Sequence, residues 1–291
     1  MAVQEMLTAS VPTTGDKPRD DELDLFGLTH AGKLRRENQD HFLISTLHRQ
    51  MVLHGTSLPA AEQLPLRSER MATLAIVADG AGGSAAGGEA SHLAVTTIAR
   101  YVTHTMQCFY GNDPSNEAKF LEALGAVAIE AHAAVREAAA DQPHREGMAT
   151  TLTLVMAVWP HAYVVQVGDS RCYHWSGGRL RRVTRDQTVA QDLVDRGVLP
   201  ADRVGTSPLS NVLSSAIGSG TATPVVTRMT LTPGSAVLLC SDGLTKHVAD
   251  AEIAEALSTM TSSEQACRAL LQRALDAGGT DNITVTVGRR R

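Results

Sequence analysis

Four aspartates carry the chemistry this chain is built to do. They are Asp40 in Arg-Glu-Asn-Gln-Asp, Asp79 in Val-Ala-Asp-Gly-Ala-Gly-Gly, Asp242 in Leu-Cys-Ser-Asp-Gly-Leu and Asp281 in Gly-Gly-Thr-Asp-Asn-Ile. Each of the last three stands where a β-rich apolar run meets a turn. A strand end would fix the side chain there, and a neighbouring glycine would let a ligand approach the backbone. Four carboxylates drawn from distant segments suit one shared site for hard cations, because oxygen-only donors select magnesium, manganese or calcium over zinc or copper. Asp79 could give one oxygen to each of two ions, and the Gly80 carbonyl could serve one of them. Arg35, five positions before Asp40, suits bidentate capture of phosphate oxygens. Two hard cations plus an arginine suit phosphate-ester hydrolysis, in which the ions polarise the phosphate and turn a bridging water into hydroxide at neutral pH.

Every one of these residues also has a plainer reading. Asp79-Gly80 could be a glycine-rich turn capping the helix that starts near Gly88. Asp242 could cap the turn that follows it, and Thr280-Asp281-Asn282 is a good turn sequence. Lys33, Arg35 and Arg36 could be a solvated charge run. The turn explanation, however, has to hold four times over in similar local sequence. The one Cys-x5-Arg spacing, Cys267 to Arg273, falls inside the helix expected over 262–277 rather than in a loop, and no Gly-x4-Gly-Lys-Ser/Thr loop is present, so cysteine-based and P-loop chemistry are not supported.

The elements that must position these residues follow from periodicity. Leu23–His30 and Asp40–Leu47 read as strands flanking the turn with Ala31-Gly32-Lys33. Met71–Ala78 reads as an apolar strand ending at Asp79-Gly80. Two long helical patterns follow, Gly88–Cys108 and Ser115–Ala140. Strands are then expected over 150–159, 162–167, 171–175 and 179–184, with Ser176-Gly177-Gly178 as a hairpin turn. A short helix is expected over 187–196, strands over 225–231 and 236–240, helices over 249–258 and 262–277, and a closing strand over 282–287. Long helix pairs separated by blocks of strands do not alternate as a doubly wound fold requires. The reading is α+β: two antiparallel sheets, each covered by a helix pair, with strand ends pooling loops at one rim. Residues 1–22 read as a flexible N-terminal tail and 49–70 as a loop or hairpin insertion.

Bulk properties set few limits. The chain has 291 residues, 43% hydrophobic and 20% charged, with a net charge of −5. That balance leaves no basic footprint for nucleic acid, and 3% aromatic residues argue against a base-stacking platform. The four cysteines form no Cys-x-x-Cys pair; a reducing cytoplasm is expected. No apolar run reaches membrane-span length, so no membrane association is expected.

On its motifs the chain resembles a known family. Gly32-x-x-Arg35-x-x-Asn38-Gln39-Asp40, Val77-Ala78-Asp79-Gly80-Ala81-Gly82-Gly83 and Gly147-Met148-Ala149-Thr150-Thr151 are followed by Val167-Gly168-Asp169-Ser170-Arg171, Thr184-Arg185-Asp186-Gln187, Ser241-Asp242-Gly243-Leu244 and Gly279-Thr280-Asp281-Asn282. In this order they resemble the motifs of the bacterial PP2C (PPM) metal-dependent serine/threonine protein phosphatases, over about Leu23 to Val287. The resemblance implies an α-β-β-α four-layer sandwich over residues 23–291 with two manganese or magnesium ions. It implies hydrolysis of phosphoserine and phosphothreonine on proteins by attack of a metal-bridging hydroxide, the substrates being those of a Ser/Thr kinase and the enzyme a monomer in signalling. By the same resemblance Asp79 bridges both ions, Gly80 gives its carbonyl to one, and Asp242 and Asp281 bind the other. Asp40 holds metal-bound water, Arg35 binds phosphate, Asn282 supports the waters, and 199–210 forms a flap. The alternative is a PP2C-like pseudophosphatase or phosphoprotein-binding module.

The chain departs from that pattern in two places. Ala81 and Ser84 stand where relatives carry a histidine able to act as general acid, leaving His92 as a weak substitute. Lys246 stands four residues after Asp242, where some members carry an aspartate; Glu146 keeps a carboxylate at another position linked to a third ion. A cation at 246 should leave a third metal site weak or absent by like-charge repulsion. Asp169 and Asp186 read as turn-organising residues, and 147–151 as strand packing.

Overall fold

A computed structural model describes residues 3–5, 16–54, 56–57, 66–81, 86–104 and 114–291. Alternating apolar residues build its two sheets. The first has the order β1-β11-β8-β7-β4-β3, made of Val3–Glu5, Val225–Thr230, His161–Val167, Leu152–Val158, Ala72–Ala78 and His41–Leu47. The second has the order β10-β9-β12-β13-β2, made of Arg179–Arg182, Arg171–Ser176, Ala236–Cys240, Ile283–Arg290 and Leu23–His30. A two-stranded ribbon pairs β5 (Gly80–Ala81) with β6 (Ala149–Thr150). Ladders are antiparallel except for β1, which runs parallel to β11.

The period-2 direction of strand side chains divides the interior into three layers. On β4 and β7, Leu74, Ile76, Leu152, Leu154 and Met156 face one core, whose other wall is α1 (Ala86–His104) and α2 (Pro114–Asp141). The helices supply Ala90, Ala94, Ile98 and Val102, and Phe120, Leu124, Val127, Ala131 and Val135, at the spacing of a single helical stripe. The opposite faces of the same strands offer Val77 and Val155 to a middle layer, where they meet Cys172 and Leu239 from the second sheet. Beneath the second sheet, α5 (Asp250–Thr259) and α6 (Ser263–Asp276) pack Ile253, Leu257, Cys267 and Leu270 against Leu238, Val285 and Val287. The fold is α+β, in the four-layer helix-sheet-sheet-helix order expected.

Several elements differ from the sequence-based expectation. β2 and β3 flank one turn but belong to opposite sheets, so residues 31–40 cross the rim between them. The strand expected over 150–159 breaks at Thr151, whose backbone N–H turns aside to donate to Asp79 O at 2.9 Å. A one-turn helix, α4 (Asp242–Thr245), follows β12. Within 1–22, read as a loose tail, Val3–Glu5 is a strand and Asp20–Glu22 a 3-10 turn. That turn is tied down by Arg70, which donates to Asp20 Oδ1 and Pro18 O at 2.6 Å each. At 49–70 the base of a hairpin is present, with Met51 N–H donating to Leu66 O; residues 55 and 58–65 lie outside the described residues. So do Cys108 and Ser84.

Candidate metal centre

The strand directions bring the four aspartates to one rim. β4 and β12 end where β3 and β13 begin, so Asp79 and Asp242 leave two strands beside Asp40 and Asp281, which precede two others. A cleft of about 650 Å3 opens there. Asp79, Gly80, Asp242 and Asp281 line it together with Arg35, Lys246 and Asp169. An apolar cavity of about 100 Å3 lies between the sheets at the opposite strand ends, lined by residues such as Leu25, Ala75 and Val237. It holds no carboxylate, so the chemistry belongs to the polar cleft.

Asp79 is fixed through its backbone. Its N–H donates to Thr151 Oγ1 at 3.0 Å, and its carbonyl accepts from Thr150 Oγ1 at 2.8 Å as well as from Thr151 N–H. The side chain is left to the cleft. Thr150 and Thr151, read from sequence as strand packing, are thus the anchors of Asp79. At Gly80 a Cβ would run into the carbonyls of Gly87 and Gln39, so only glycine lets α1 and the 31–40 crossing close on this turn.

Asp40 is buried. Its Oδ2 accepts from Ser241 Oγ at 2.7 Å and Thr284 Oγ1 at 2.8 Å, while Oδ1 is buried with no hydrogen-bond partner. Such an orphan is costly unless a further group satisfies it. Burial pushes Asp40 up to about 6, against the two hydroxyl donors. Burial, then repulsion from Asp40 and Asp242, holds Asp79 well above the ordinary carboxylate range. Asp169 is the residue sequence reasoning passed over: burial and the charge of Asp242 raise it to about 7. Its signal, Val-Gly-Asp-Ser, does not differ from an ordinary turn. Asp186 is structural, paired through both oxygens with Arg171 at 2.7 and 3.0 Å.

Two cations of the cleft, Arg35 and Lys246, are already engaged. Arg35 meets Asp281 in a two-pronged pair, Nε to Oδ1 at 2.8 Å and Nη2 to Oδ2 at 3.0 Å. Lys246 Nζ lies 2.6 Å from Asp242 Oδ2 and 2.8 Å from Asp281 Oδ2. With these pairs in place, no three His, Cys, Asp or Glu side chains among the described residues form a ready-made cage. The donor chemistry nonetheless fits hard divalent ions: every candidate is an oxygen, the carboxylates repel one another, and a buried carboxylate oxygen lacks a partner. Asn282, expected to support waters, holds the 31–40 crossing with its side-chain amide. Its Nδ2 donates to Ala31 O and Glu37 O, and its Oδ1 accepts from Gln39 N–H, which clamps the crossing that carries Arg35. His92 lines a separate groove with His41 and Arg145 and is absent from the cleft.

A family profile described as protein phosphatase 2C matches residues 64–278. The chain belongs to the protein phosphatase 2C family. It is 34% identical over 216 residues to the serine/threonine protein phosphatase PstP of Mycobacterium tuberculosis, covering 74% of this chain and 40% of that protein. It is 30% identical over 221 residues to the protein phosphatase PhpP of Streptococcus pneumoniae, covering 74% of this chain and 85% of that one. The matched stretch therefore spans about two fifths of the mycobacterial protein's length. Among solved structures, the catalytic domain of PstP in complex with two manganese ions superposes with a TM-score of 0.70 at 28% identity, covering 92% of this chain and 97% of that one. In this phosphatase 2C fold the sequence-predicted Arg35, Asp79, Gly80, Asp242 and Asp281 share one cleft. Asp40 sits beneath it, joined by Ser241 and Thr284.

Proposed function

We propose that the chain hydrolyses phosphoserine and phosphothreonine on proteins, using two manganese or magnesium ions held by Asp79, Gly80, Asp242 and Asp281 with Asp40 behind them. The supporting observation is the convergence of Asp79, Gly80, Asp242 and Asp281 in the cleft that also holds Arg35, with the unpartnered Asp40 Oδ1 buried beneath it. The ions, when bound, polarise the phosphoryl group and acidify water beside it. The residues do the rest. Asp79, anchored by Thr150 and Thr151, sets the position of the charge. Asp40, held through Oδ2, presents Oδ1 to accept a proton from water. Arg35 has the planar fork that matches two phosphate oxygens. The stretch 199–210, a 3-10 turn over Ala201–Thr206, leads into Asn211 and Leu213 at the cleft and would act as the flap shaping access for a phosphopeptide.

We place this activity in the cytoplasm, in the reversal of Ser/Thr kinase signalling. The free, buried thiols of Cys172, Cys240 and Cys267 suit a reducing compartment. Among the described residues no helix is long and apolar enough to cross a membrane.

The test is phosphate release from phosphoserine and phosphothreonine peptides with and without manganese, in the wild type and in Asp79→Ala. Manganese-dependent release lost in the variant is the expected outcome. Turnover of small metabolite phosphates alone would sink the protein-phosphatase reading.

A further inference from the structure

Lys246 is no part of the donor set, yet its ammonium sits inside it. The residue caps α4 one turn after Asp242, so its side chain returns over Asp242, and Nζ bridges Asp242 Oδ2 and Asp281 Oδ2 at 2.6 and 2.8 Å. Its charge also reaches Asp169. The ammonium is therefore the counter-charge of three of the five carboxylates gathered here.

The contacts at Asp281 make the consequence specific. Oδ1 accepts from Asn282 N–H and forms an ion pair with Arg35 Nε at 2.8 Å, and Oδ2 accepts from Arg35 Nη2 and Lys246 Nζ. A carboxylate offers about four lone-pair sites, and these four contacts surround both oxygens. A divalent ion at Asp281 must displace one of these donors. Asn282 N–H is adjacent backbone and cannot leave. Lys246 and Arg35 are side chains with a solvent-facing exit, 28% and 57% exposed.

Resting on the reading of Asp242 and Asp281 as metal ligands, we infer that Lys246 is a tethered cation that competes with the incoming metal for this pair. Metal entry is then an exchange of charge. The ammonium leaves the two aspartates to the incoming ion. Lys246 thus sets the metal concentration at which the centre fills.

The test is calorimetric titration of the metal-free full chain with manganese chloride, alongside thermal melting with and without the ion. The proteins are wild type, Lys246→Met, Lys246→Gln, Lys246→Arg and Asp79→Ala. Loss of the charge should tighten manganese binding by at least about tenfold, because a cation a few ångströms away opposes a divalent ion even when water screens it well. Lys246→Arg, which keeps the charge, should stay near the wild type. The metal-free Met and Gln variants should melt lower than the wild type and gain more on adding manganese, a crossing that a merely structural lysine would not produce. Lys246→Gln keeps hydrogen-bonding capacity and covers a Met variant that folds poorly. Unchanged or weaker binding in both neutral variants, with binding lost in Asp79→Ala, overturns the competition while the metal centre stands. Identical titrations of wild type and Asp79→Ala overturn both.

Discussion

Ser241 Oγ donates to Asp40 Oδ2 at 2.7 Å across a sequence separation of 201 residues. Ser241 closes β12 and Asp40 precedes β3, so this one bond ties the second sheet to the first directly beneath the cleft. Thr284 Oγ1 supplies the second donor to the same oxygen. Together they favour the charged form of a carboxylate that burial otherwise pushes up. In the double variant Ser241→Ala, Thr284→Val, Asp40 should hold its proton to higher pH. Manganese affinity near neutral pH, measured by calorimetry, should fall by about ten- to a hundredfold, the usual cost of losing residues that orient a ligand. Unchanged affinity would show that Asp40 takes no part in holding the metal.

Arg35 offers a cleaner readout of substrate capture. It reaches the cleft on the 31–40 crossing, clamped there by Asn282, and its pairing with Asp281 shows that two of its nitrogens can reach two oxygens of one anion at once. Arg35→Ala should raise KM for phosphopeptides and lower kcat/KM by roughly ten- to a hundredfold, as expected for a lost charge-assisted bidentate contact. Arg35→Lys should recover only part, because an ammonium cannot grip two oxygens in a fixed plane. Steady-state kinetics at saturating manganese separates this from an effect on metal binding.

The buried carboxylates predict how the metal-free protein responds to pH. Asp40 rises from the ordinary aspartate value of 3.8 to about 6, Asp169 to about 7, and Asp79 well above the ordinary range. Between about 4 and 7 these three carboxyls bind more protons in the folded state than in the unfolded state, and their contribution to stability falls as pH rises through that window. Asp24, held low by Ser263 and Arg289 against its burial, acts in the opposite sense, but only below its unfolded value. His41, His132, His161 and His174, lowered by burial, also act in the opposite sense, so the carboxyls are read by difference. In a chelator, Asp169→Asn should shift the balance of melting temperatures between pH 5 and pH 8 toward pH 8 relative to the wild type, and manganese should shift the wild type the same way. A metal-free Asp169→Asn variant whose pH response matches that of the wild type would contradict the assignment.

How much of this was legible in the sequence depends on what each residue's environment is made of. Asp79 and Asp242 could be read because an apolar run followed by Asp-Gly encodes a strand end within a few residues, and Asp281 because Gly-Gly-Thr-Asp-Asn marks a turn into a β-rich run. The four-layer order could be read because helix pairs and strand blocks announce their periods locally. The partition of β2 and β3 into opposite sheets could not, since it depends on the Asn282 clamp more than 240 residues away. Asp169 was hidden for a similar reason: the charges that act on it, Asp242 and Lys246, lie far from it in sequence. Lys246 was visible as a misplaced charge, but its hold on two aspartates exists only once α4 folds its side chain back.

Gly243 tests whether the spacing of Asp242 and Asp281 is set by packing. It is the second residue of α4, and a Cβ added there would collide with the backbone carbonyl of Asn282. Asp242 and Asp281 flank that contact, so the absence of a side chain at 243 is what lets the two carboxylates come within reach of one cation. Gly243→Ala must push α4 away from the start of β13. Both are buried backbone with little room to give, and overpacking of this kind costs about 1–3 kcal/mol. The variant should melt several degrees lower without metal. It should also lose much of the stabilisation that manganese gives the wild type, since the ligand pair is prised apart. Thermal melting with and without manganese checks both. A lower melting point with the full manganese increment retained would show that the two aspartates keep their spacing by other means.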